Sequence, residues 1–148
     1  MRLYASGLIL SIFWLVGCTA VPVATKSGTS ENGRGRSSSI GIINQDSRWI
    51  GHTDYIDGVL TEIRDQWYKI IEESRVAPPR GSHVVITFKI NSKGETDIIK
   101  VEDSGVGKVG VFCCLDAITY TQPYRKWTVE MIAALSNEQQ LTLSFYYQ

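Results

Sequence analysis

Residues 84–102 read VVITFKINSKGETDIIKVE, and this stretch decides the fold. Val84, Ile86, Phe88 and Ile90 alternate with Val85, Thr87 and Lys89, the two-residue period of a strand with one face in a core. Asn91-Ser92-Lys93-Gly94 then offers a turn in which Gly94 can take positive φ, and Glu95 to Glu102 returns through Ile98, Ile99 and Val101. The stretch therefore predicts a β-hairpin, and with it an antiparallel sheet.

On the N-terminal side, Ile56, Val59, Leu60, Ile63, Trp67, Ile70 and Ile71 recur at spacings of three and four, with acidic and basic residues between them. That is one amphipathic helix over Thr53 to Ser74, with Thr53 as its N-cap and Pro78-Pro79-Arg80-Gly81 as its stop. On the C-terminal side, Val111, Cys114, Leu115 and Ile118 mark a second helix ended by Pro123, and Thr128 to Leu135 a short third one. The chain finishes on Leu141, Leu143, Phe145 and Tyr147 alternating with polar positions, another half-buried strand. The expected fold class is α+β in two layers, with helices packed on one face of a small antiparallel sheet in the order α-β-β-α-β.

The 148 residues carry 15 basic and 15 acidic side chains and are 43% hydrophobic, enough for one domain and without the cationic excess of a nucleic-acid surface. The start of the chain has a different character. Arg2 precedes an uncharged apolar run from Leu8 to Val16, and Leu15-Val16-Gly17-Cys18 follows. This resembles the lipobox of bacterial lipoproteins, which implies a signal peptide over residues 1–17, lipidation of Cys18 as the mature N-terminus, and an outer-membrane address suggested by Thr19. The alternative is an uncleaved inner-membrane anchor, since no charge occurs between Arg2 and Lys26. Loss of Arg2 with the signal leaves 14 basic against 15 acidic residues. From Ser27 to Ser39 the side chains are small and mostly polar, so residues 18–48 read as a lipidated cysteine with a Ser/Gly-rich tether, and residues 49–148 as the folded domain.

Candidate chemistry is sparse. Gly105-Val106-Gly107-Lys108-Val109-Gly110 matches the dinucleotide-loop spacing, but it follows the second arm of a hairpin where a nucleotide fold needs several parallel strands. Cys113 and Cys114 are adjacent on a helix and read as core thiols, and His52 and His83 complete no metal-ligand spacing. No catalytic set, metal or cofactor is implied. The last strand, having no successor, is expected at the edge of the sheet. Its residues Gln140, Leu141, Thr142, Leu143, Ser144, Phe145, Tyr146 and Tyr147 then form the candidate partner-binding site, because an open edge offers main-chain donors and acceptors to a visiting peptide.

Several residues together resemble the C-terminal domain shared by TonB and TolA. They are the strand and turn Val84 to Gly94, the return strand ending Val101-Glu102-Asp103-Ser104-Gly105, the helix Cys114 to Ile118, Pro123-Tyr124, and the strand Leu141 to Tyr147. The resemblance covers about residues 54–148, and the helix bearing Trp67 looks more like the TolA version. It implies a non-enzymatic module that binds an envelope protein or peptide in the periplasm, by strand addition in the TonB case. The lipobox in place of a signal anchor, and a tether without a Pro-rich spacer, depart from TonB and speak against energy transduction. An inner-membrane-anchored energy transducer for outer-membrane transport and a nucleotide-dependent enzyme using Gly105–Gly110 are the alternative readings.

Overall fold

The computed structural model describes residues 38–148. Residues 1–17, read as a signal peptide, Cys18, and most of the residues read as tether lie outside them. In chain order the elements are β1 (Ser39–Gln45), a 3-10 turn (Ser47–His52), α1 (Thr53–Ser74), β2 (His83–Asn91), β3 (Thr96–Ser104), α2 (Lys108–Thr119), α3 (Val129–Leu135) and β4 (Glu138–Tyr146). The four strands form one antiparallel sheet in the order β1-β4-β2-β3. The fold is α+β, with three helices and a four-stranded sheet.

The hairpin forms as its alternation requires. Val84, Ile86, Phe88 and Ile90 are fully buried, while the intervening residues of β2 are half-buried. Its turn is tied at several points. Asn91 N–H donates to Glu95 O (3.0 Å), the Asn91 side chain accepts from Lys93 and Glu95 N–H, and Gly94 sits at φ +82°. Gly94 also has the Tyr124 main chain against its Cα, so a Cβ there has no room. Tyr124 N–H donates to Gly94 O (2.9 Å) and Trp127 N–H to Ser92 O (3.0 Å), docking the segment before α3 onto the turn.

Two expectations about the start of the fold need correction. First, residues 39–45 are not tether: β1 pairs antiparallel with β4, Ile40 opposite Phe145 and Ile42 opposite Leu143. The folded unit therefore includes residues assigned to the tether, and the element order opens with a strand. Second, Thr53 is not the cap of α1 but its first residue. The chain enters from the 3-10 turn, whose cap is Asp46, accepting from Arg48 N–H at 2.9 Å. The Arg48 side chain returns the contact at 3.0 and 2.8 Å, and this hydrogen bonding holds the exposed Asp46 carboxyl down at about 2. The turn aims Trp49 into the core, where its ring stacks on Tyr55 (5.8 Å) and meets Trp127 edge-on (5.5 Å).

The core lies between the helices and one face of the sheet. Ile56, Val59, Ile63 and Trp67 of α1 and Cys113, Cys114, Ala117 and Ile118 of α2 are buried in one cluster with Leu141, Leu143 and Phe145 of β4. α1 ends at Ser74, before the prolines, because Arg75 turns left-handed at φ 53°, a conformation ordinarily given to glycine.

Candidate partner-binding edge

The strand expected at the edge is internal. β4 pairs with β1 on one side, Ser144 opposite Gly41, and with β2 on the other, Leu143 opposite Ile86. The main-chain groups of Leu141 to Tyr146 are thus spent within the sheet, and Tyr147 donates its N–H to Ser82 O at 3.0 Å. Leu141, Leu143, Phe145 and Tyr147 are core side chains and Ser144 is fully buried. Strand addition at Gln140–Tyr147 has no edge to use. Among the described residues the edges are β3 and β1, and they are built differently.

β3 is guarded. Thr96 N–H, which points away from β2, is taken by Gln122 Oε1 at 2.9 Å. A bulge falls where Thr87 meets Lys100 and Phe88 meets Ile98, so that Ile99 is extra and the ladder is broken in the middle. Asp97, Lys100, Glu102 and Asp103 charge four of its nine residues, and Lys100 pairs with Glu102 at 2.9 Å. Charge and bulge are the usual means of keeping a foreign strand off an edge.

β1 is bulged too, at Ile43, but it lacks the charge and the side-chain cap. Ser39–Gln45 carries no charge and no proline, and three of its seven residues are isoleucine. Its free main-chain groups follow from the ladder. Tyr147 N–H bonds to Ser82, so odd-numbered residues of β4 turn to β2 and even-numbered ones to β1. Ser144 and Tyr146 therefore bond to Gly41 and Ser39, which leaves the N–H and C=O of Ile40 and Ile42 pointing outward. The Ser38 carbonyl beside them is occupied by the Tyr68 hydroxyl of α1 at 2.6 Å. The Ile40 and Ile42 side chains are partly buried on the core face with Leu60 and Tyr68, and Ile43, at the β1 bulge, is 54% exposed. Where β1 leaves β4, a polar notch of about 270 Å³ opens among Asn44, Gln45, Asp46, Gln139, Gln140 and Thr142.

The glycine loop is closed by its own chain. Gly105 and Gly107 have φ of +86° and +83°, and the Asp103 carboxylate accepts from Val106 N–H (2.7 Å) and Gly107 N–H (3.1 Å) where a nucleotide phosphate needs donors. Cys113 and Cys114 are free and buried, and burial pushes the Cys114 thiol up to about 12. Among the described residues no group of three His, Cys, Asp or Glu is placed to hold a metal ion, and no helix is long and apolar enough to cross a membrane. Of the late aromatics, Tyr124 and Trp127 are core, while Tyr120 is 73% exposed at the end of α2.

Compared with protein-family models, with curated proteins and with solved structures, the chain matches none.

Proposed function

We propose that this chain is a non-enzymatic, lipid-anchored protein of the bacterial cell envelope, whose domain binds an envelope protein or peptide by strand addition at β1. The observation that carries the proposal is the contrast between the two edges. β3 is charged and capped by Gln122, whereas the uncharged β1 presents Ile40 and Ile42 with their main-chain groups free beside partly buried apolar side chains.

The resemblance to the TonB and TolA C-terminal domains supports a protein-binding role. The binding edge moves from the last strand to the first. With β1 in the sheet, 20 residues separate Cys18 from Ser39. On the lipobox reading, the domain works close to the membrane with its binding edge next to the anchored end.

Two measurements test the reading. The mature N-terminus, located by mass spectrometry, is expected at a diacylated Cys18. A chain retaining residues 1–17 supports the inner-membrane transducer instead. Envelope proteins captured by the full-length chain are expected to be lost with Gly41→Lys, a position where an added side chain meets nothing within 4 Å. Unchanged capture means that β1 is not the binding edge.

A further inference from the structure

We infer that β1 is also a self-recognition edge: two copies pair β1 against β1, antiparallel about a two-fold axis at Gly41, and this pairing competes with capture of the envelope partner. The inference rests on the reading of β1 as the binding edge and adds a regulated, self-closed state of that edge.

The geometry selects one register. The outward main-chain groups are those of Ile40 and Ile42, so an antiparallel second copy uses all of them when Ile40 faces the second copy's Ile42 and Ile42 its Ile40. Those two bonded pairs place Gly41 opposite Gly41 in the unbonded pair between them. There the Cα atoms come closest, about 4.5 Å apart, and glycine leaves no side chain to collide. Sliding toward the N-terminus sets Ile42 against Ser38, whose carbonyl is held by Tyr68. Sliding the other way sets Ile40 against Asn44, beyond the bulge. No charge lies between Ser39 and Gln45 to repel its own copy, and Asp46 beyond them is already paired with Arg48. The half-buried Ile40 and Ile42 side chains gain cover from one another on the core face. The product is a continuous eight-stranded sheet whose outer edges are the two guarded β3 strands.

A peptide that adds to β1 needs the same Ile40 and Ile42 groups, so dimer and complex exclude each other. Two copies anchored in one membrane meet at raised effective concentration, which favours the closed form until a partner displaces it.

The test is cysteine crosslinking of the full-length chain, whose Cys18 sulfur is acylated on the lipobox reading and whose other two thiols are buried. Gly41→Cys places two cysteines within the span of a disulfide at the two-fold axis. It is expected to form a covalent dimer under mild oxidation at least about tenfold faster than Ile43→Cys, which is exposed but faces Ser39 in this register, or Lys100→Cys on β3. A synthetic peptide of residues 38–45, SSIGIINQ, is expected to slow that crosslink, and Gly41→Lys to lower the dimer fraction in sedimentation with unchanged circular dichroism. A Gly41→Cys rate no higher than that of Ile43→Cys overturns the inference. The two readings fail separately. A monomer whose partner capture is still lost with Gly41→Lys overturns the dimer alone, and a Gly41-centred dimer without any captured partner overturns the binding function alone.

Discussion

The indole Nε1 of Trp67 donates to the hydroxyl oxygen of Tyr147 at 3.1 Å, across 80 residues of chain, with the rings edge to face at 5.1 Å. The same hydroxyl donates to Gly110 O (3.3 Å) and lies 3.3 Å from the Cys114 thiol, so one oxygen joins α1, α2 and the end of β4 inside the core. Its burial raises the Tyr147 phenol well above its ordinary value. Tyr147→Phe keeps the ring and strands the Trp67 N–H. A buried donor left unsatisfied costs about 1–3 kcal/mol, so urea unfolding is expected to show a loss in that range at unchanged m-value. A loss below about 0.5 kcal/mol means that this cluster does not hold the helices to the sheet.

The Cys114 thiol makes the same region sensitive to alkali. Burial raises it from 9.0 to about 12, so the folded state keeps a proton that the unfolded chain gives up first. The stabilisation is fully present below pH 9 and is lost as pH rises from there toward 12. The melting temperature is expected to fall across that interval, and Cys114→Ala to flatten the fall. An equal slope in both proteins assigns the alkaline loss to other groups, the tyrosines first.

Much of this fold was legible in the sequence, because long periodic segments announce themselves. β2 alternates over seven residues and α1 keeps its spacing from Ile56 to Ile71, about four turns, and both formed within a residue or two of expectation. β1 was hidden by its neighbours. Ile40 and Ile42 do alternate with small residues, but the period is only two apolar side chains long and follows the run of serine and glycine that ends at Ser39. Without β1, the last strand reads as an edge, and the binding site falls on it. Strand order is not written in any period. The available signal was charge: β4 has none from Gln139 to Tyr146, as suits an interior strand, while β3 carries four.

The domain boundary gives a direct check on β1. A fragment of residues 38–148 keeps β1 on β4, whereas residues 49–148 uncover the Ser144 and Tyr146 main-chain groups and the core beneath Ile40 and Ile42. The shorter fragment is expected to melt at least several degrees lower and to aggregate through the exposed β4 edge. Equal melting temperatures mean that β1 adds nothing to the fold.

Arg75 offers a gain in stability. It closes α1 at φ 53°, where an L side chain is strained and glycine is not. Arg75→Gly is expected to stabilise the domain by up to about 1 kcal/mol in urea unfolding, the relief of strain exceeding the added freedom of the unfolded chain. A loss instead shows that the Arg75 side chain makes an interaction worth more than the strain.

Proline placed on the two sides of one ladder separates folding from binding. Ser144 N–H points to β1 and bonds within the sheet, so Ser144→Pro breaks the ladder at its centre and is expected to destabilise the fold by about 1–3 kcal/mol. Ile42 N–H points outward, so Ile42→Pro removes a donor that the folded domain does not use. Its Gly41 neighbour accepts the extended conformation that a following proline demands. Ile42→Pro is therefore expected to fold no worse than Ile42→Ala, which loses the same partly buried side chain, yet to abolish the capture of envelope partners that Ile42→Ala retains. Circular dichroism and pull-down on the three variants measure both effects. If Ile42→Pro captures as well as Ile42→Ala, the outward main chain of β1 plays no part in recognition. The exposed side chains of Phe112 and Tyr120 on and after α2 then become the next surface to probe.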